Sequence, residues 1–211
     1  MVKLYDWSIA PNPRRVRMYL AEKGIKVEMV QAAGPRDMQL APWFLEKSPR
    51  RRVPLLELDD GTLIGEAMAI CRYFDAGYLP PALFGRDARE SAIIDMWERE
   101  ADNNCLQAGG ESVRNAHPAF ADHAMAGYAQ PTAQVAALGE RGRMRYYTYQ
   151  AQADQRLGDN EYLGGDLFSV ADITAFCAID FWRKFRLPIA DENEHVQRWY
   201  AAVAARASAK A

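Results

Sequence analysis

The stretch from Arg51 to Ile70, RRVPLLELDDGTLIGEAMAI, holds the residue types most able to do chemistry in this chain. Val53-Pro54 opens an apolar strand run through Leu55, Leu56 and Leu58. Asp60-Gly61 then supplies residues that accept the positive φ of a two-residue hairpin turn. A second short strand, Thr62 to Ile64, leads into Gly65-Glu66-Ala67 and an apolar helix pattern. A proline before a strand, a tight hairpin and an acid at a helix start together make a site for a zwitterionic peptide. Each part also has a plainer reading. Pro54 can simply open a strand, and Glu66 is favoured by the helix dipole and by unpaired amides without any ligand. The arginines at 14, 15 and 17 and at 50, 51 and 52 are either solvated clusters or an anion-recognition surface. Cys71, Cys105 and Cys177 are odd in number and widely spaced, which suits reduced packing residues in the cytosol rather than disulfides. His117, His123 and His195 form no ligand set, so no metal is expected.

The elements that must position these residues fall into two halves. Val2 to Tyr5 reads as a strand, and Pro11-Asn12-Pro13 marks a helix start, where proline is tolerated because first-turn amides lack internal partners. Val16, Tyr19, Leu20 and Lys23 continue that helix to a stop at Gly24. Val27 to Gln31 reads as a second strand. Gly34 to Pro49 reads as irregular, with one short helix around Trp43-Phe44-Leu45. The hairpin follows, then a helix from Glu66 to about Ala76. The order β-α-β, α-β-β-α implies a small mixed sheet with helices on both faces. YLPPALFG, from Tyr78 to Gly85, reads as a linker. The organisation expected is therefore α+β, with one domain over 1–79, a linker over 80–87 and an all-helical domain over 88–211. In the second half Arg89 to about Asn115 carries a helical stripe through Ile93, Met96, Trp97, Glu100 and Asn104. Pro131 to Leu157 gives a second long helix. Ser169 to Asp172 has capping-box spacing and starts a helix apolar nearly all round, through Val170, Ile173, Ala175, Phe176, Ile179 and Phe181, as befits the centre of a bundle. Glu194 to about Arg206 closes the chain with an amphipathic helix.

At 211 residues, 49% of them apolar and 26% charged, the chain is long enough for two modest domains or one large one. A formal net charge of −2 recruits neither nucleic acid nor an anionic membrane. The N-terminal MVKLYDW has no signal-peptide pattern, and no window approaches the ~20 apolar residues of a membrane helix. Val170 to Trp182 is the richest stretch, and Asp172 and Asp180 interrupt it.

Three pieces of this sequence, APNPRRVRMYLAEKGI, VPLLELDDGTLIGEAMAI and SVADITAF, resemble the cytosolic glutathione S-transferases, and the resemblance runs from KLYDWS to QRWYAAVAAR. It implies a thioredoxin-like N-terminal domain followed by an all-α helical bundle, with glutathione as co-substrate and no metal. On this reading Pro54 is a cis-proline, and the Val53 N–H and C=O pair with the cysteinyl unit of glutathione as a sheet edge pairs with a strand. Glu66 accepts the γ-glutamyl ammonium, and helix amides receive its carboxylate. Family members usually carry a serine where this chain has Ala67. The lost hydroxyl bond is worth only about 0.5–1.5 kcal/mol, so binding should be weakened rather than abolished. Arg52 stands where a donor often meets the glycyl end.

The family works by lowering the thiol pKa so that the thiolate is populated near neutral pH. Ala10 falls where other classes place a catalytic serine or cysteine, and Pro13 where a CxxC pair has its second cysteine, which excludes chemistry through an enzyme thiol. Asn12 matches the asparagine that helps hold the sulfur in a nu-like bacterial group. It could equally be a turn or N-cap residue. Ser8 reaches the site only if the loop folds back, and Tyr5 belongs to the first strand. Arg14 and Arg15 would raise the potential around a thiolate, or lie at a surface or domain interface. Trp97, Cys105, Tyr146, Tyr149 and Phe176 could reach an electrophile pocket, with bundle packing as the alternative. The resemblance further implies a cytoplasmic homodimer with a detoxification role, conjugating glutathione to small hydrophobic electrophiles. Two other activities stay open: peroxide or disulfide reduction without a protein cysteine, and a non-catalytic adaptor.

Overall fold

Strand β1 (Lys3–Asp6) runs straight into the loop that opens helix α1 (Pro11–Lys23), and β2 (Glu28–Gln31) returns parallel to β1. Helix α2 (Pro42–Lys47), the hairpin strands β3 (Leu55–Glu57) and β4 (Leu63–Gly65), and helix α3 (Ala67–Asp75) follow. The computed structural model describes residues 1–32, 42–77 and 80–211. Residues 34–41 of the expected irregular segment, and 78 and 79 at the expected linker, lie outside them. Contacts divide the chain into two units: residues 1–81 with 126–130 and 211, and residues 82–125 with 131–210.

In the first unit the sheet order is β2-β1-β3-β4, with β1 antiparallel to β3 and β3 antiparallel to β4. Strand alternation divides the apolar residues between the two faces. Tyr5 and Leu55 pack with Phe44 of α2, Ala32 and Val53, while Leu4 and Leu56, paired in register, take the opposite face and are fully buried. Helix α3 packs on β3 and β4 and against α1. Tyr19 donates to Asp75 at 2.8 Å and Lys23 pairs with the same carboxylate at 2.7 Å, which ties α1 to α3.

One local expectation is corrected here. The hairpin turn is longer than two residues: Leu58 N–H donates to Thr62 C=O at 2.9 Å, and Gly61 N–H donates to Leu58 C=O at 2.9 Å. Asp59, Asp60 and Gly61 therefore form the loop, with Gly61 at φ 84. The Asp60 side chain also accepts from Thr62 N–H at 2.9 Å, and that bond lowers its pKa. An Asx bond of this kind favours the longer loop.

The second unit is helical. Helix α4 (Ala88–Glu100), a π-helical segment (Ala101–Gln107) and α5 (Ala108–Arg114) form one continuous rod, capped where Asp87 accepts from Glu90 N–H at 2.9 Å. Helices α6 (Ala136–Gly158), α7 (Val170–Arg183) and α8 (Glu194–Ala204) complete it. The expected stripe on α4 is one residue out of phase. Ile94, Glu98, Ala101 and Cys105 are buried, whereas Met96 is 54% exposed. Glu98 hid the true face because a buried acid looks like a surface residue in sequence; the Thr174 hydroxyl donates to it at 3.1 Å. The second long helix, expected over Pro131 to Leu157, is shorter, since Pro131 to Val135 are not helical and α6 starts at Ala136. Helix α7 is buried along almost its whole length, and its capping box is formed. Among the described residues no helix is long and apolar enough to cross a membrane.

Candidate functional site

Strand register brings the Val53-Pro54 step and Glu66 to one end of the sheet. Tyr5 faces Leu55, and Leu55 faces Gly65. The residues next along the chain from these pairs are Asp6, Pro54 and Glu66. The Val53-Pro54 bond is cis. The Val53 side chain is held in the cluster of Tyr5, Phe44 and Leu55. Its N–H and C=O have no hydrogen-bond partner among the described residues. The backbone on either side is engaged. The Ser48 hydroxyl donates to the Arg52 carbonyl at 3.1 Å and accepts from its N–H at 3.3 Å, and Leu55 enters the ladder opposite Gly65. Val53 thus offers one donor and one acceptor from a backbone fixed on both sides, which is what an added strand needs.

Glu66 caps α3 from an uncommon backbone position, φ 65 and ψ 124, which a non-glycine residue adopts at a cost of about 1–3 kcal/mol. Its carbonyl accepts from Ile70 N–H at 3.1 Å. Its carboxylate is exposed, caps nothing, and has no hydrogen bond or ion pair among the described residues. The first-turn amides of a helix have no intrahelical acceptor, so Ala67, Met68 and Ala69 present donors beside an unpaired acid. Ala67 is buried and contributes no hydroxyl. Arg52 is exposed. The segment Ala126–Gln130, which belongs to this unit, comes down beside it. A Cβ added at Gly127 would lie 2.9 Å from the Arg50 carbonyl oxygen and 3.0 Å from Arg52 Nε. Sequence reading missed both this segment and Ser48, because neither adjoins the motif.

At the start of α1 the N-cap is Ala10, not Asn12. Pro11 takes the first helical position, so the expectation of Asn12 as a cap is corrected: it stands at the second. Ala10 N–H donates to Trp7 C=O at 2.9 Å, and Arg14 N–H donates to Ala10 C=O at 3.3 Å. Pro11 and Pro13 have no N–H. The Asn12 backbone amide therefore has no partner among the described residues, at the end of the helix where the dipole is positive. Buried Arg15 donates from Nη1 to Asn12 Oδ1 at 2.9 Å. A guanidinium only donates, so the oxygen must face Arg15 and the Asn12 NH2 must turn elsewhere as a donor. Ala10 has no polar side chain. Ser8 lies in an exposed turn, and its hydroxyl has no partner among the described residues. Tyr5 is unavailable: its hydroxyl donates to Glu57, and burial raises its pKa.

Within the second unit Cys105, Tyr146, Tyr149 and Phe176 are fully buried, and Tyr146 donates to the Leu187 carbonyl at 3.1 Å. Burial pushes the Cys105 thiol and the Tyr149 hydroxyl up. Packing is the role this supports. Trp97 is half-buried instead, with the Arg156 guanidinium 5.9 Å from its ring centroid.

Residues 9–76 match the glutathione S-transferase N-terminal domain and residues 116–207 its C-terminal domain. The chain belongs to the glutathione S-transferase family. Glutathione S-transferase 2 of Saccharomyces cerevisiae is 33% identical over 209 residues, covering 98% of this chain and 87% of the yeast protein. The crystal structure of a glutathione S-transferase domain-containing protein from Marinobacter aquaeolei superposes with a TM-score of 0.88 at 34% identity, covering 98% of each chain. A glutathione S-transferase from Methylobacillus flagellatus with glutathione bound gives 0.81 at 26% identity, covering 100% of this chain and 98% of that one. The thioredoxin-like plus helical architecture is thus the family's, and the protein is a glutathione transferase, an enzyme whose family takes glutathione as substrate.

Proposed function

We propose that this transferase binds glutathione along Val53, Pro54, Glu66 and Ala67, with Arg52 at the glycyl end, and holds the sulfur at the start of α1 through Asn12. The observation that carries this reading is the pair of unpaired groups at one end of the sheet: the Val53 backbone donor and acceptor, and the Glu66 carboxylate beside the α3 amides. These complement a γ-glutamyl peptide group by group. The ammonium meets Glu66, the γ-glutamyl carboxylate meets the amides of Ala67 and its neighbours, and the cysteinyl backbone meets Val53. The Asn12 N–H and NH2 then donate to the sulfur, which favours thiolate over thiol. The thiolate attacks a small hydrophobic electrophile: a C–S bond forms, the leaving group departs with its electron pair, and the thiol proton passes to solvent. Ser8 carries a hydroxyl in the turn before this helix and has no role in this step. Such conjugation serves detoxification. Cys71, Cys105 and Cys177 are buried as thiols, which suits a reducing cytoplasm. Half-exposed Leu63 and Tyr73 give the first unit apolar surface suited to a homodimer.

The test is chlorodinitrobenzene conjugation with the thiol pKa of bound glutathione read from thiolate absorbance. Asn12→Ala should raise that pKa by about one unit and lower kcat about tenfold, the loss of the side chain's one hydrogen bond to a charged group. Unchanged pKa and kcat would remove the Asn12 side chain from the mechanism. Running cumene hydroperoxide in parallel separates conjugation from peroxide reduction. Gly127→Ala, which puts a methyl group against Arg50 and Arg52 at φ 84, should raise KM for glutathione about three- to tenfold while kcat holds. A KM equal to the wild type's would remove the segment from the glycyl subsite.

A further inference from the structure

The turn that leads into α1 is held by a closed ring of side chains around one buried acid. Asp6, at the end of β1, is 2% exposed. One of its carboxylate oxygens pairs with Arg17 Nη1, and the other accepts from Gln31 Nε2 at 2.7 Å. Both partners then reach the same residue. Arg17 Nη2 donates to the Ser8 carbonyl at 2.8 Å, and Gln31 Oε1 accepts from Ser8 N–H at 3.2 Å. Arg17 comes from α1 and Gln31 from β2, so the ring joins β1, α1, β2 and the turn between Trp7 and Ala10. We propose that Asp6, Arg17 and Gln31 are positioning residues, which clamp Ser8 from both backbone sides and so fix where the α1 entrance presents Asn12 to the glutathione sulfur. None of the three need touch substrate.

The chemistry of the ring explains its residue types. A carboxylate has two oxygens and can orient two donors at once. A guanidinium has a planar fork that binds an acid and a carbonyl together, which an ammonium on a flexible stem does less well. A glutamine carries both a donor for Asp6 and an acceptor for Ser8 N–H, and no charged residue of that size supplies both. The loop it steadies contains Ala10, which has no polar side chain to hold itself in place. A donor at a sulfur is effective only if it is preorganised, and small displacements of catalytic groups are expensive in rate. The ring is the only network among the described residues that fixes both backbone groups of Ser8.

This inference rests on the reading of Asn12 as the sulfur's donor, and the test separates the two. Gln31→Met keeps the side chain's length and removes both of its bonds. The measurements are kcat with chlorodinitrobenzene, the glutathione dissociation constant by calorimetry, the thiol pKa of bound glutathione, and amide hydrogen exchange at Ser8. The expected result is a kcat lowered about three- to tenfold, with a raised thiol pKa and faster exchange at Ser8, while the dissociation constant changes less than about threefold. Arg17→Lys should act in the same direction, and its effect with Gln31→Met should be less than additive, because both release one turn. If Asn12→Ala shifts kcat and thiol pKa but Gln31→Met shifts neither, the clamp is overturned and Asn12 stands. If Gln31→Met shifts them and Asn12→Ala does not, the clamp stands and the sulfur's donor is another group in the turn. If neither shifts them, both are overturned. A purely structural role would lower thermal stability without moving the thiol pKa, and that result also overturns the clamp.

Discussion

Glu66→Ala is expected to raise the dissociation constant of glutathione by one to two orders of magnitude, the cost of about 1.5–3 kcal/mol for losing a hydrogen bond between charged groups. An exposed ion pair between side chains is worth little, so the effect depends on the ligand's ammonium being held against the carboxylate by the rest of the peptide. Glu66 has no other partner among the described residues, so its removal should leave the fold intact. The backbone sharpens the test. At φ 65 a glycine is less strained than either glutamate or alanine. Glu66→Gly should therefore bind as weakly as Glu66→Ala yet be more stable, by about 0.5–1 kcal/mol. Affinity and melting temperature would move in opposite directions, the signature of a residue kept strained for binding. Calorimetric affinity equal to the wild type's in both variants would show that the ammonium lies elsewhere.

The largest stability effect belongs to Asp172. Its carboxylate is completely buried and accepts from Leu163 N–H and Trp199 Nε1, both at 2.9 Å, from Ser169 Oγ at 2.9 Å and from Ser169 N–H at 3.0 Å. Asp172→Ala leaves all these donors buried and unpaired, and should cost roughly 3–5 kcal/mol, a large part of a typical domain's stability. Urea unfolding followed by far-UV circular dichroism should show the midpoint fall sharply; an unchanged midpoint would mean that the helical unit does not depend on this cap. Burial pushes Asp172 up to about 6 against the pull of its four donors. The folded chain then holds a proton that the unfolded chain has released above its ordinary value of about 3.9. The Asp172 contribution to stability is therefore complete below that value and is lost as pH rises through about 6. Asp172→Asn should flatten this part of the stability profile.

The first unit was largely readable in the sequence because its signals are local. Pro11, Gly24 and the Val53-Pro54 step each mark an element boundary, and β1, α1, β2, the hairpin and α3 fall within a residue or two of where those marks put them. The hairpin loop was misjudged by one residue, since turn composition does not reveal the Asp60 bond to Thr62 that selects the longer form. In the second unit the capping box at Ser169 and Asp172 was visible as spacing. The phase of α4 was not, because a buried Glu98 has its partner, Thr174, far away in the chain. The same reason explains what was missed at the candidate site. Pro54, Glu66 and Asn12 stand in recognisable motifs. Ser48, Gly127 and the ring of Asp6, Arg17 and Gln31 act through contacts that only the folded chain creates. Local chemistry is written along the sequence, and positioning is written across it.

The most direct measurement is an NMR titration of the wild-type protein with S-methylglutathione, which keeps the peptide and removes the thiol. The amide resonances of Val53, Ala67 and Met68 should shift together and saturate with one dissociation constant, with slowed hydrogen exchange at Val53 in the bound state. Saturable binding that leaves those amides unmoved while others respond would contradict the placement of glutathione at this end of the sheet.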